Sequence, residues 1–216
     1  MCLKIKELIE GHEDFSDDVD FLETKLNASQ EQGFAYKRNG IKISLTDTYN
    51  NGHSLKIPAS SDMLGFVHSH LRDEPLNIYD KDNNQLFRKR IRMFSPRDLV
   101  KFLQLVRNAH NNQYPYKDIF GGMISSQGNY LLKFSGDINN FIQNFTPAVL
   151  SNLLTTDSQK EYERLIKDEG REAGFLKFLE QKIPNLPGVD LFEFKDNGDI
   201  IRKTLDENDK IKREKC

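Results

Sequence analysis

Apolar residues recur at three- and four-residue intervals near the start of the chain: Leu3, Ile5, Leu8 and Ile9, then Phe15, Val19, Leu22 and Leu26, set among acidic neighbours. That period predicts one or two amphipathic helices. The pattern then shortens. Gly33–Tyr36 and Ile41–Leu45 alternate around Arg38-Asn-Gly40, and an Asn-Gly pair between alternating segments predicts a hairpin. Tyr49–Gly52 reads as a second turn, Ser54–Ile57 as a short strand, and the apolar run Met63–His70 as a central strand.

Residues 72–92 are polar, with Asp80–Asn84 as a turn centre, and predict a long loop or a small hairpin. Leu99, Phe102, Leu103, Leu105, Val106 and Ala109 then form a helical stripe. Ser95 is placed to cap that helix, and Pro96 to occupy its first position, where a missing N–H costs nothing. Strands follow at 119–124 and 130–134, helices over 138–153 and 157–183, and a final hairpin over 189–194 and 200–205. The charged end, 206–216, is expected to fray. The order predicts an α/β (α+β) fold, a mixed sheet flanked by helices with helices added at both ends. It divides into an N-terminal helical segment 1–29, a core 30–135 carrying the insertion 72–92, and helices with a hairpin over 136–216, expected to pack on the same domain.

Composition narrows the function. At 216 residues, with 37% hydrophobic and 30% charged residues, the chain can bury its own core. A formal net charge of -2 provides none of the basic excess that nucleic-acid binding uses. No apolar run is long enough to span a bilayer, and the first residues lack the apolar segment of a secretory signal, so no membrane partner is expected. Cys2 and Cys216 stand at opposite ends of the sequence. Neither a disulfide framework nor a cysteine zinc cluster can be read from them, and a reducing cytoplasm is the default location.

The chemistry concentrates in Gly65-Phe-Val-His-Ser-His-Leu71. Alternate strand residues share a face, so His68 and His70 project together while Val67, Ser69 and Leu71 face the other way. Two adjacent imidazoles suit a metal, and hydrolytic zinc is commonly held by three protein ligands with a water in the fourth position. Asp98, in the first turn of a helix starting beside the strand end, is the candidate third ligand. Ser95 is placed to donate to a developing oxyanion. Each piece also has an ordinary reading. A His-x-His on a strand can be structural, Ser95-Pro-Arg-Asp98 is a normal helix cap, and Glu31 lies in a polar stretch. His12, His53 and His110 lack such partners and read as surface residues.

His68-Ser-His70 followed by Ser95-Pro-Arg-Asp98, after the apolar Met63–Val67, resembles the JAMM, or MPN-plus, zinc metalloproteases, whose signature is an upstream Glu, then His-x-His, then Ser-x-x-Asp. The resemblance covers about residues 30–135. It implies a JAMM/cytidine-deaminase-like fold, Zn2+ held by His68, His70 and Asp98, Ser95 as oxyanion donor, and an upstream glutamate as general acid/base. Glu31, shortly before Gly33-Phe34, is the candidate, with Glu74 in the insertion as the fallback. The implied activity is hydrolysis of a peptide or isopeptide bond in a protein or peptide substrate, a ubiquitin-like conjugate included. The alternative is an inactive MPN-like protein-binding scaffold; a phosphoesterase would need a second metal cluster, and the sequence offers none. Two features depart from the family pattern. Leu71–Phe94 separates the second histidine from the serine where a shorter gap is usual, and Leu71 replaces a frequent proline. The insertion reads as a lid or substrate-selecting loop, or as a solvated excursion. Its Arg88-Lys-Arg90 and Arg92 either meet an acidic substrate surface or are simply solvated.

Overall fold

The histidine-bearing run forms β5 (Met63–His70), an interior strand of an eight-stranded mixed sheet, in a computed structural model that describes residues 2–11, 13–49, 54–183 and 188–216. β5 runs antiparallel to β1 (Gly33–Lys37), with Gly33 opposite His68, and parallel to β8 (Phe120–Ser125), with His68 opposite Met123. A parallel pair needs a crossover. Here the crossover contains the hairpin β6 (Glu74–Tyr79) and β7 (Gln85–Arg88) and then helix α3 (Pro96–Asn111). β2 (Lys42–Leu45) forms one edge beside β1. On the other side β9 (Gly128–Phe134), β10 (Val189–Phe194), β11 (Ile200–Leu205) and β12 (Ile211–Lys215) continue the sheet, so the C-terminal hairpin extends the sheet that holds the histidines. β3 (Thr48–Tyr49) and β4 (Ser54–Leu55) pair separately.

Alternation along β5 sorts its side chains between two apolar layers. Val67 packs with Ile5, Phe15 and Leu22 of α1 (Cys2–Gly11) and α2 (Glu13–Thr24), whereas Phe66 packs with Leu99, Phe102 and Val106 of α3. His68 and His70 therefore point to the α3 side. Phe66 and Phe102 are wholly buried, and each such side chain contributes roughly 1.5–3 kcal/mol of transfer free energy. This anchors α3 across the strand that carries the histidines.

The C-terminal helices are more broken than periodicity predicts: α4 (Ile138–Asn144), α5 (Pro147–Asn152), α6 (Thr156–Glu169) and α7 (Arg171–Lys182). Thr146 caps α5 with Pro147 behind it, and Gly170, at φ 84°, separates α6 from α7 in a backbone region that favours glycine.

Two expectations are overturned. The end of the chain, expected to fray, forms strand β12 on the open edge of β11. The turn that returns it is closed by the Asp206 carboxylate, which accepts from the amides of Asn208 and Lys210 at 2.8 and 2.9 Å. Charged residues along β12, including Lys215 paired with Asp199, suit an outer edge. The terminal cysteines, left unpaired by the sequence reading, form a disulfide with Cα atoms 5.4 Å apart. α1 lies against β11, and the Cys216 amide donates to the Ile200 carbonyl at 2.8 Å, so folding joins what sequence separates. Among the described residues no helix is long and apolar enough to cross a membrane. His12, His53 and residues 50–52 of the expected turn lie outside the described residues.

Candidate metal centre

β5 and the first turn of α3 bring His68, His70 and Asp98 together, all buried, with one ligand atom from each lying within 4.8 Å of the others. Among the described residues this is the one such cluster. The Nε2 atoms of the two rings are 2.9 Å apart. Asp98 Oδ1 lies 3.4 Å from His68 Nε2, and Asp98 Oδ2 lies 3.5 Å from His70 Nε2.

The opposite side of each ring fixes its protonation. His68 Nδ1 sits 3.0 Å from the Gly122 carbonyl on β8, and His70 Nδ1 sits 2.9 Å from the Ile91 carbonyl at the return of the insertion. A carbonyl only accepts, so both Nδ1 atoms carry hydrogen and donate. Both Nε2 atoms then present lone pairs to each other and to a carboxylate. Such a grouping is repulsive until a proton or a cation occupies its centre, and a ring held by its other nitrogen is the usual arrangement of a metal-binding histidine.

Asp98 is held just as firmly. Ser95 and Asp98 form a reciprocal capping box: the Ser95 amide donates to Asp98 Oδ2 at 2.7 Å, and the Asp98 amide donates to Ser95 Oγ at 3.3 Å. Among the described residues the Ser95 hydroxyl proton has no acceptor, and it is free to donate toward the site. The helix cap and the histidine cluster thus share Asp98, and the capping serine–aspartate pair lies beside both rings. Tyr162 of α6 donates to the Phe94 carbonyl at 2.6 Å, fixing the residue before Ser95.

Glu31 precedes β1. The Ser69 amide donates to the Gln32 carbonyl at 2.9 Å and the Gln32 amide donates to Ser69 Oγ at 3.1 Å, which extends the β1–β5 pairing past Gly33. A Cβ on Gly33 would lie 2.5 Å from the Val67 carbonyl oxygen and 2.8 Å from His68 Cβ, so this close approach needs glycine. It carries Glu31 into the field of the triad. Burial raises the Glu31 pKa, and the opposing pull of His70 and His68 does not cancel that rise. Asp98 raises it further, while Arg90 lowers it. For Asp98, burial pushes upward but the two histidines win and hold the carboxyl well below the usual carboxylate range. Burial opposes charge on His70 as well, yet Asp98 and Glu31, together with the Ile91 carbonyl, push its pKa up to about 9. His70 therefore carries a proton in the metal-free cluster at neutral pH.

The structure thus brings together Glu31, His68, His70, Ser95 and Asp98. Glu74 is elsewhere: it pairs with Arg88 at 3.1 Å and Arg90 at 2.7 Å on the hairpin. The basic cluster is answered by its own acids, since Lys89 and Arg92 pair with Asp73 at 3.1 and 2.8 Å. It is not a free surface for an acidic partner. The hairpin instead exposes Ile78, Tyr79, Leu86 and Phe87. His110 is partly buried, with its ring 6.5 Å from that of Tyr116. Sequence reasoning missed Ser69, Gln32, Tyr162 and the Gly122 and Ile91 carbonyls. The only local signal was the serine between the histidines. No known protein family, curated protein or solved structure matches the chain.

Proposed function

We propose that the protein is a JAMM-type zinc hydrolase that cleaves a peptide or isopeptide bond in a protein or peptide substrate. The observation that carries this reading is the pair of Nε2 lone pairs meeting at 2.9 Å beside the Asp98 carboxylate. Tetrahedral zinc with bonds of about 2.0–2.1 Å sets its ligand atoms about 3.3 Å apart. The cluster's separations of 2.9, 3.4 and 3.5 Å bracket that value. Two nitrogens and one oxygen also form the donor set of a hydrolytic zinc site with one position open.

When bound, zinc would polarise the scissile carbonyl and lower the pKa of a water at the open position. The chain's own residues do the rest. Glu31, with its pKa raised by burial, is poised to accept a proton from the nucleophile and deliver it to the leaving amine. Ser95, held in the cap, turns its hydroxyl toward the oxygen that becomes negative, and removal of such a donor typically costs about 100- to 1000-fold in rate. The Gly122 and Ile91 carbonyls hold both imidazoles correctly turned, with Nε2 toward a bound metal.

The inactive-scaffold alternative predicts no use for Glu31. Its burial at the edge of the triad favours catalysis. The experiment is elemental analysis of purified protein beside His68→Ala and Glu31→Gln. About one zinc per chain, lost in His68→Ala and kept in Glu31→Gln with turnover abolished, is the expected outcome. Absence of zinc after reconstitution would leave only the scaffold reading.

A further inference from the structure

Beside Asp98 a cavity of about 130 Å³ opens between the chain around β4 and the first two turns of α3. Its apolar wall is Leu55, Ile57 and Val100, and its polar wall carries Lys56, Arg97 and Lys101. Asp98 is the one acid among the lining residues, and both of its oxygens are already engaged by the histidines and the Ser95 amide. Lys56 pairs with Asp47 at 2.8 Å outside the cavity wall.

Lys101 differs from its neighbours. It is partly buried, and among the described residues no carboxylate or carbonyl answers its ammonium. Burial, and after it the charge of Arg97, holds its pKa below the ordinary lysine value, with no acid acting in the opposite direction. A half-buried lysine one helical turn from an arginine gives this wall a positive face that suits an anion. The space also has a definite size. It is well below the roughly 300–1,000 Å³ of a site for a drug-sized ligand, and it suits one residue's side chain or one chain end.

We propose that this cavity is a specificity pocket for a substrate carboxylate, held by Lys101 with Arg97 beside it, immediately next to the bond presented to His68, His70 and Asp98. The inference rests on the hydrolase reading for the word substrate, but the carboxylate site itself stands on this wall of α3. The carboxylate has two possible sources: an aspartate or glutamate side chain flanking the scissile bond, or the α-carboxylate of a chain end.

The test uses three peptide probes and the Glu31→Gln protein, with and without zinc, followed by backbone amide shifts in NMR titrations. The probes are acetyl-Ala-Ala-Glu-Ala-amide, its Gln counterpart, and acetyl-Ala-Ala-Ala with a free C-terminus. A charge-assisted hydrogen bond of the usual strength gives about tenfold or greater preference for a carboxylate-bearing probe, with shifts centred on residues 97–104. Lys101→Met removes that preference, Lys101→Arg keeps it, and Lys81→Met on the hairpin turn leaves it unchanged. Preference for the Glu probe assigns a side-chain carboxylate; preference for the free C-terminus assigns a chain end. Equal binding of all three, no binding of any at millimolar concentration, or a preference that survives Lys101→Met overturns the inference. Zinc content, read on the same samples, reports separately on the hydrolase reading, because probe binding in the metal-free protein does not depend on it.

Discussion

The protonation of the metal-free cluster has a measurable consequence. His70 titrates at about 9 when buried beside Asp98 and Glu31, against about 6.5 for an unperturbed histidine. Its folded pKa is the higher one, so the bound proton stabilises the metal-free fold fully below about pH 6.5. That contribution is lost as pH rises to about 9. At 1.36 kcal/mol per pKa unit it amounts to about 3 kcal/mol. Metal binding requires the same site without its proton. Zinc affinity should therefore rise about tenfold per pH unit, or about 100-fold from pH 6.5 to 8.5. The assay is competition with a chromophoric chelator at three pH values, with thermal unfolding of metal-free and zinc-loaded protein alongside. The metal-free midpoint is expected to fall with pH relative to His70→Gln, and the zinc-induced gain is expected to widen. A pH-independent zinc affinity across that window would refute the proton assignment and the lone-pair argument behind it.

Three further outcomes are expected. Gly33→Ala forces β1 from β5 at the Val67 carbonyl and should cost about 1–3 kcal/mol; urea unfolding measures that cost, and the proposed hydrolysis should fall further than stability because Glu31 moves with the strand. Lys203 is buried between Glu172 at 2.9 Å and Glu193 at 2.7 Å; Lys203→Met leaves Glu172 to Tyr130 and Arg213 and takes the ion-pair partner from Glu193, and should cost about 3 kcal/mol in urea unfolding, with partial recovery on adding Glu193→Gln. Reducing Cys2–Cys216 opens a loop spanning nearly the whole chain and should lower the thermal midpoint by an amount equivalent to up to about 5 kcal/mol; zinc per chain should not change, and loss of zinc on reduction would tie the distant bond to the site.

The readable parts of this protein are those where local pattern and tertiary role agree. β5 announced itself because an apolar run ending in His-x-His fits an interior strand that turns one face toward chemistry. α3 did so because Ser95 and Pro96 start it and its apolar stripe is buried throughout. What stayed hidden depends on partners distant in sequence. Residues 206–216 have no alternating apolar pattern, and only the unpaired edge of β11 makes them a strand. The basic residues Arg88–Arg92 look free until the hairpin register sets Glu74 opposite Arg88. Helical periodicity runs through Gly170 without interruption, whereas its positive φ breaks the helix. The carbonyls of Gly122 and Ile91 belong to the backbone, so no side-chain pattern could reveal them.

The Ile91 carbonyl also ties the insertion to the site. His70 is turned by Ile91, on the strand-to-helix return, and Glu31 feels Arg90, the residue before it. The crossover therefore helps to hold the candidate metal-binding side chains, while its tip carries the exposed Ile78, Tyr79, Leu86 and Phe87. The insertion is thus rooted beside His70 and apolar at its free end. The Tyr162 bond to Phe94 gives support from the opposite side, joining α6 to the cap that holds Asp98. Each ligand is thus restrained from a different quarter: His68 by the neighbouring strand, His70 by the insertion, and Asp98 by the cap beneath the C-terminal helices. A site preorganised in this way loses little on binding metal, and a cut at any one of the three supports should weaken binding while the ligand residues themselves remain intact.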